Sequence, residues 1–100
     1  MYIYNVTVSI EKSLADEWLN WMKTVHVPDV LKTGHFTENK ICRVLNVDDE
    51  GATFSVQYTF NNMEDIETYQ KNHAQRLQAE HSKRYEGKYA AFRTLLEIVK

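Results

Sequence analysis

The chain of 100 residues has one cysteine, one proline and three glycines, no surplus of positive charge, and no long apolar run. Each shortage excludes something. Cys42 alone cannot close an internal disulfide, and there is no second thiol for a zinc ribbon or a redox dithiol, so a reducing cytoplasm is expected. Gly34, Gly51 and Gly87 each stand near the edge of a patterned stretch and cannot build a glycine-rich loop that cradles a phosphate or dinucleotide. Twelve Lys and Arg against 14 Asp and Glu give a net charge of -2, which offers nucleic acid no basic surface. The N-terminus lacks the basic and apolar regions of a signal peptide, and no apolar run approaches the ~18 residues of a membrane helix. Neither export nor a membrane span is expected.

What is present suffices for one folded unit, residues 1–100. At 43% hydrophobic residues the chain is well above disordered composition, while a protein this short buries only about two-thirds of its unfolded surface. Any apolar face left over favours a subunit contact. From Tyr2 to Ile10 the even positions are Tyr, Tyr, Val, Val and Ile and the odd ones between them are mostly polar, a period only a strand uses. Ser13 and Asp16 resemble a capping box, and Leu14, Trp18, Met22 and Val25 recur at helical spacing. That first helix is expected to end near His26, because the residue before a proline is pushed from helical geometry. Thr37–Val47 and the run Phe54, Val56, Tyr58, Phe60 form a hairpin around the turn Asp48-Asp49-Glu50-Gly51. Asn62 caps a second helix through Met63, Ile66, Tyr69, His73 and Leu77 to about Arg84. Gly87 closes it, and Lys88–Val99 is a fourth strand.

The order β-α-β-β-α-β is the split βαβ, an α+β, ferredoxin-like arrangement: a four-stranded antiparallel sheet, strands one and three central, two helices on one face. The other face is left open. Ile3, Ile41, Leu45 and Leu95 would be costly to leave in water there, and a partner sheet is the expected cover.

The segments Trp18-Leu19-Asn20-Trp21-Met22, His26-Val27-Pro28-Asp29-Val30, Thr33-Gly34-His35-Phe36, Ala79-Glu80-His81 and Ala91-Phe92-Arg93-Thr94-Leu95-Leu96-Glu97 carry a resemblance along essentially the whole chain. They resemble a small bacterial family of unknown function, similar in turn to the dimeric α/β-barrel superfamily, in which two such subunits join their open sheet faces. The resemblance implies this fold and a homodimer. Barrel relatives include cofactor-independent monooxygenases, haem-degrading enzymes, stress-responsive proteins and regulatory ligand-binding domains, so it assigns no reaction.

Two constellations bear on function. His26 beside Asp29 has the residue types of a proton-transfer pair, and His81 is a second candidate; the same His26 also suits a helix C-terminus, with Pro28 and Asp29 opening the next turn. The polar set Asn5, Thr7, Ser9, Ser55, Gln57, Thr59 and Arg93, with Tyr89 beside it, is placed on the open face. In a barrel dimer that face lines the lumen, where Arg93 could hold a carboxylate or phosphate; equally, these groups could satisfy one another, with Arg93 on Glu97 or Glu38. His26, His35, His73 and His81 show no metal-binding spacing, and neither metal nor cofactor is expected. The stretch from Glu80 to Tyr85 is a charged helix end, and Trp18 and Trp21 are a broad packing stripe.

The expected function is therefore a cytoplasmic homodimeric module, small-molecule-binding or stress-related, with a cavity between its two sheets. The alternative is a barrel enzyme, monooxygenase-like or haem-handling, using His26 or His81 for proton transfer and Arg93 to orient an anion.

Overall fold

The computed structural model describes residues 1–47 and 50–100. Four strands, β1 (Tyr2–Glu11), β2 (Glu38–Arg43), β3 (Gly51–Phe60) and β4 (Tyr89–Glu97), form one antiparallel sheet in the order β2-β3-β1-β4. The alternating runs of β1 and β3 thus become the central strands, and the fold is ferredoxin-like. Asp48 and Asp49 of the expected turn lie outside the described residues. Gly51 is required by closeness: a Cβ there would stand 2.7 Å from the carbonyl oxygen of Ile10.

The two helical segments cover one face. Helix two follows the reading: the Asn62 side chain accepts from the Asp65 backbone N–H at 3.2 Å, and the segment runs through Met63–Tyr69, a π turn at Gln70–Ala74 and Gln75–Arg84. Gly87 then turns the chain at φ 74°. Helix one differs from expectation at both ends. No side chain caps its start, which is entered through a 3₁₀ turn, Lys12–Leu14. Nor does it stop near His26: Ala15–Trp21 passes through a π turn at Met22–His26 into Val27–Leu31. Pro28 has no N–H for the carbonyl of Thr24, and the wider turn just before it accommodates that missing bond. His26 is therefore an internal helical residue, turned toward the sheet.

The even residues of β1 and β3 face the helices. Val8, Ile10, Phe54, Val56, Tyr58 and Phe60 are buried there, and the Trp18 ring stacks on Phe54 at 5.1 Å. Opposed residues of an antiparallel pair share a face, so the pairings Val6 with Arg93 and Ile10 with Tyr89 carry Arg93 and Tyr89 to the helix side. This corrects their placement on the open face, and Leu95, opposite Tyr4, moves with them. The cause is that β4 is apolar on both faces, so alternation cannot set its phase. Ile41, paired with Val56, also faces the helices, and Leu45 lies beyond β2. Of the four apolar residues expected on the open face only Ile3 lies there; Phe92 and Leu96 stand beside it, 64% and 40% exposed.

Candidate functional site

The open face and the helix side each hold part of the candidate set. On the open face, Asn5, Thr7, Ser55 and Gln57 bond mainly to one another. Asn5 Nδ2 donates to Thr7 Oγ1 at 3.1 Å, Ser55 Oγ to Asn5 Oδ1 at 2.6 Å, and Gln57 Nε2 to Ser55 Oγ at 3.1 Å. Thr59 lies on the same face beyond Gln57.

On the helix side a cavity opens between sheet and helices, and His26, His81, Arg93 and Tyr89 all line it, with Tyr58 and Tyr69 deeper in. The cavity leaves about 40 Å³ for the centres of water molecules, room for about three at ~10–15 Å³ each. The helical segments bring the histidines in from opposite sides, His26 from the π turn and His81 from the last turns of helix two, with ring centroids 5.8 Å apart. Trp21 stacks on His26 at 5.2 Å, and Tyr89 meets His81 edge-on at 4.6 Å. The Tyr89 hydroxyl is within 2.6 Å of Ser82 Oγ.

Both imidazoles are held neutral. Burial lowers the His26 pKa to about 4, with Asp29 opposing and Arg93 assisting. Burial, then His26 and Arg93, bring His81 to about 4 as well. For His81 there is a geometric reason of equal force. The fully buried Trp18 donates its indole N–H to His81 Nε2 at 2.9 Å. Indole nitrogen only donates, so Nε2 must be the lone-pair nitrogen and the ring proton sits on Nδ1. Charging His81 would place two hydrogens against each other.

His26 is less provided for. Its Nδ1 is buried and meets no hydrogen-bond partner, and no hydrogen bond joins it to Asp29 among the described residues. The carboxylate acts on His26 only through its charge. Arg93 makes no hydrogen bond or ion pair to a described residue, Glu97 and Glu38 included. Burial pushes the Tyr58 and Tyr69 phenols far above their ordinary range, so both remain protonated.

Sequence reading missed Tyr58, Tyr69 and the role of Trp18. The signal was available: three hydroxyl- or N–H-bearing aromatics at core positions, each needing a polar partner where it is buried. The other histidines form a separate pair against helix two, where His35 Nδ1 lies 3.2 Å from Asp65 Oδ1 in its first turn and the His35 ring is 5.7 Å from that of His73 in its π turn.

Comparison with solved structures places this geometry among known folds. A dimeric ferredoxin-like protein from an uncultured marine organism superposes with a TM-score of 0.72 at 10% identity, covering 99% of this chain and 94% of that one. A candidate antibiotic biosynthesis monooxygenase from Nitrosomonas europaea gives 0.69 at 9% identity over 100% of both chains. A variant of MhuD with two manganese protoporphyrin IX bound per active site gives 0.71 at 12% identity, covering 100% of this chain and 96% of that one. At such identities the likeness carries the fold alone. No curated protein matches the chain. The family match spans residues 1–99, and the chain belongs to the family described as domain of unknown function DUF4286.

Proposed function

We propose that the protein is a cytoplasmic homodimer that binds a small organic anion in the helix-side cavity of each subunit. The observation that carries this reading is the convergence on one cavity of Arg93, whose guanidinium pairs with no described residue, and the two imidazoles of His26 and His81. A cation beside neutral ring nitrogens with hydrogen-bonding capacity to spare suits an anionic ligand with further polar atoms. The lumen between two sheets is the weaker location, because its central polar groups already satisfy one another. The homodimer is supported by the exposed Phe92 and Leu96 on an otherwise uncovered sheet face and by the dimeric description of similar structures.

The enzyme reading keeps one specific support: His26 and His81 line the cavity rather than the outer helical surface. Proton transfer would fall to His26, since Trp18 occupies the basic nitrogen of His81. A porphyrin does not fit the residues present, because space for about three waters is far smaller than its ring system.

Thermal unfolding against a panel of small carboxylates tests the proposal. At a hundredfold excess over Kd a ligand adds ~2.7 kcal/mol, a rise of ten degrees or more for a domain of this size. The wild type should show such a rise with at least one acid and Arg93→Gln should lose it; a wild type indifferent to the whole panel refutes the reading.

A further inference from the structure

The two cavity histidines are not equivalent, and their difference describes the ligand more closely. His81 has one nitrogen committed: Nε2 receives the Trp18 N–H at 2.9 Å, inside the core. Its Nδ1–H meets no described residue as acceptor, and the ring lines the cavity. A neutral imidazole so fixed can only donate to an occupant. It does so without the cost of burying a charge.

His26 has both nitrogens uncommitted among the described residues, and Nδ1 is sealed from solvent. Whichever nitrogen carries its proton, the other is an acceptor; with the proton on the sealed Nδ1, Nε2 is the acceptor that an occupant can meet. Other groups line the cavity as well: the Tyr89 hydroxyl is paired with Ser82, the phenols of Tyr4, Tyr58 and Tyr69 and the Gln78 amide are weaker acceptors than an imidazole lone pair, and Asp29 makes no hydrogen bond to the ring. Arg93, on β4, supplies the charge, and its field is felt at His26, His81 and Tyr69 together.

We propose that the two rings divide the recognition of one small 2-hydroxy acid: His81, held as its Nδ1–H form by Trp18, donates to a carboxylate oxygen beside Arg93, and His26 accepts the hydrogen bond of the adjacent hydroxyl. The inference rests on the anion-binding reading of the cavity and adds the hydroxyl to it. Trp18 is then a positioning residue, acting on the ligand only through His81. The available space, about three waters or ~90 Å³ of liquid volume, is the scale of lactate.

Two measurements on the full-length protein test this. Long-range proton–nitrogen correlation spectra of ¹⁵N-histidine protein at neutral pH should show His81 as a single Nδ1–H tautomer, and Trp18→Phe should release it into a mixture. An Nε2–H or doubly protonated His81 in the wild type overturns the proposal even if the variant fails to fold. Lactate and isobutyrate then serve as probes of like shape, one with a hydroxyl where the other has a methyl. Lactate should bind about tenfold tighter, and His26→Phe should erase the preference. Equal affinity of the two acids for the wild type overturns the hydroxyl assignment while leaving anion binding intact. Failure of both acids to shift cavity resonances at high millimolar concentration overturns the anion reading and this inference with it.

Discussion

Acidification should destabilise this protein through its two buried histidines. Both rings ordinarily titrate near 6.5 and in the fold near 4. Between those values the unfolded chain takes up protons that the folded chain refuses, so the contribution to stability is complete above about pH 6.5 and is lost as the pH falls toward 4. From pH 7 to 4.5 each ring accounts for on the order of 2 kcal/mol after allowance for the partial exposure of His26. The pair together removes about 4 kcal/mol from a domain whose total is typically ~5–15 kcal/mol. Urea unfolding at pH 7 and 4.5, in wild type and in His26→Gln and His81→Gln, measures the loss directly. Each variant should shed about half of the pH dependence, whatever its absolute stability, because glutamine takes up no proton. Two variants that retain the full wild-type slope would refute the claim that these rings are buried neutral, and would assign the acid sensitivity to carboxylates instead.

Two further outcomes follow from packing. Phe92 is the most exposed aromatic on the uncovered sheet face; Phe92→Glu should raise the dimer dissociation constant a hundredfold or more in sedimentation equilibrium, and a wild type that is monomeric at micromolar concentration contradicts the dimer. Gly51→Ala would set a methyl group 2.7 Å from the Ile10 carbonyl and 2.8 Å from Ser9 Oγ, costing about 1–3 kcal/mol as the strand ends part. A variant as stable as wild type in urea would contradict that close approach of β1 and β3.

How much of this was legible in the residues depended on whether one period dominated. In β1 and β3 a clean apolar and polar alternation fixed both strand and face, and with the Asn62 cap and the boundary at Gly87 it was enough to give the sheet order. In β4 both Tyr89, Ala91, Leu95 and Ala90, Phe92, Leu96 can face a core, so its phase is set only by pairing with β1, and a slip of one residue moves Arg93 from one side of the sheet to the other. Pro28 likewise gave the right local rule and the wrong boundary, because the π turn at Met22–His26 absorbs a missing hydrogen bond that propensity alone treats as an end. Those two misreadings concerned the residues that build the cavity. His26, His81 and Arg93 were each singled out by chemical type, but their meeting depends on a helix that continues past a proline and on a strand register, and neither is written in local pattern.

The central claim is that ligand chemistry belongs to the cavity between sheet and helices rather than to the open sheet face. Backbone amide shifts of the wild-type protein during a lactate titration test it most directly. The largest changes should fall on Met22 to Val30, on Gln78 to Ser82 and on Tyr89 to Arg93, around His26, His81 and Arg93. Shifts concentrated instead on Asn5, Thr7, Gln57 and Thr59 would place the ligand between the sheets and contradict the account.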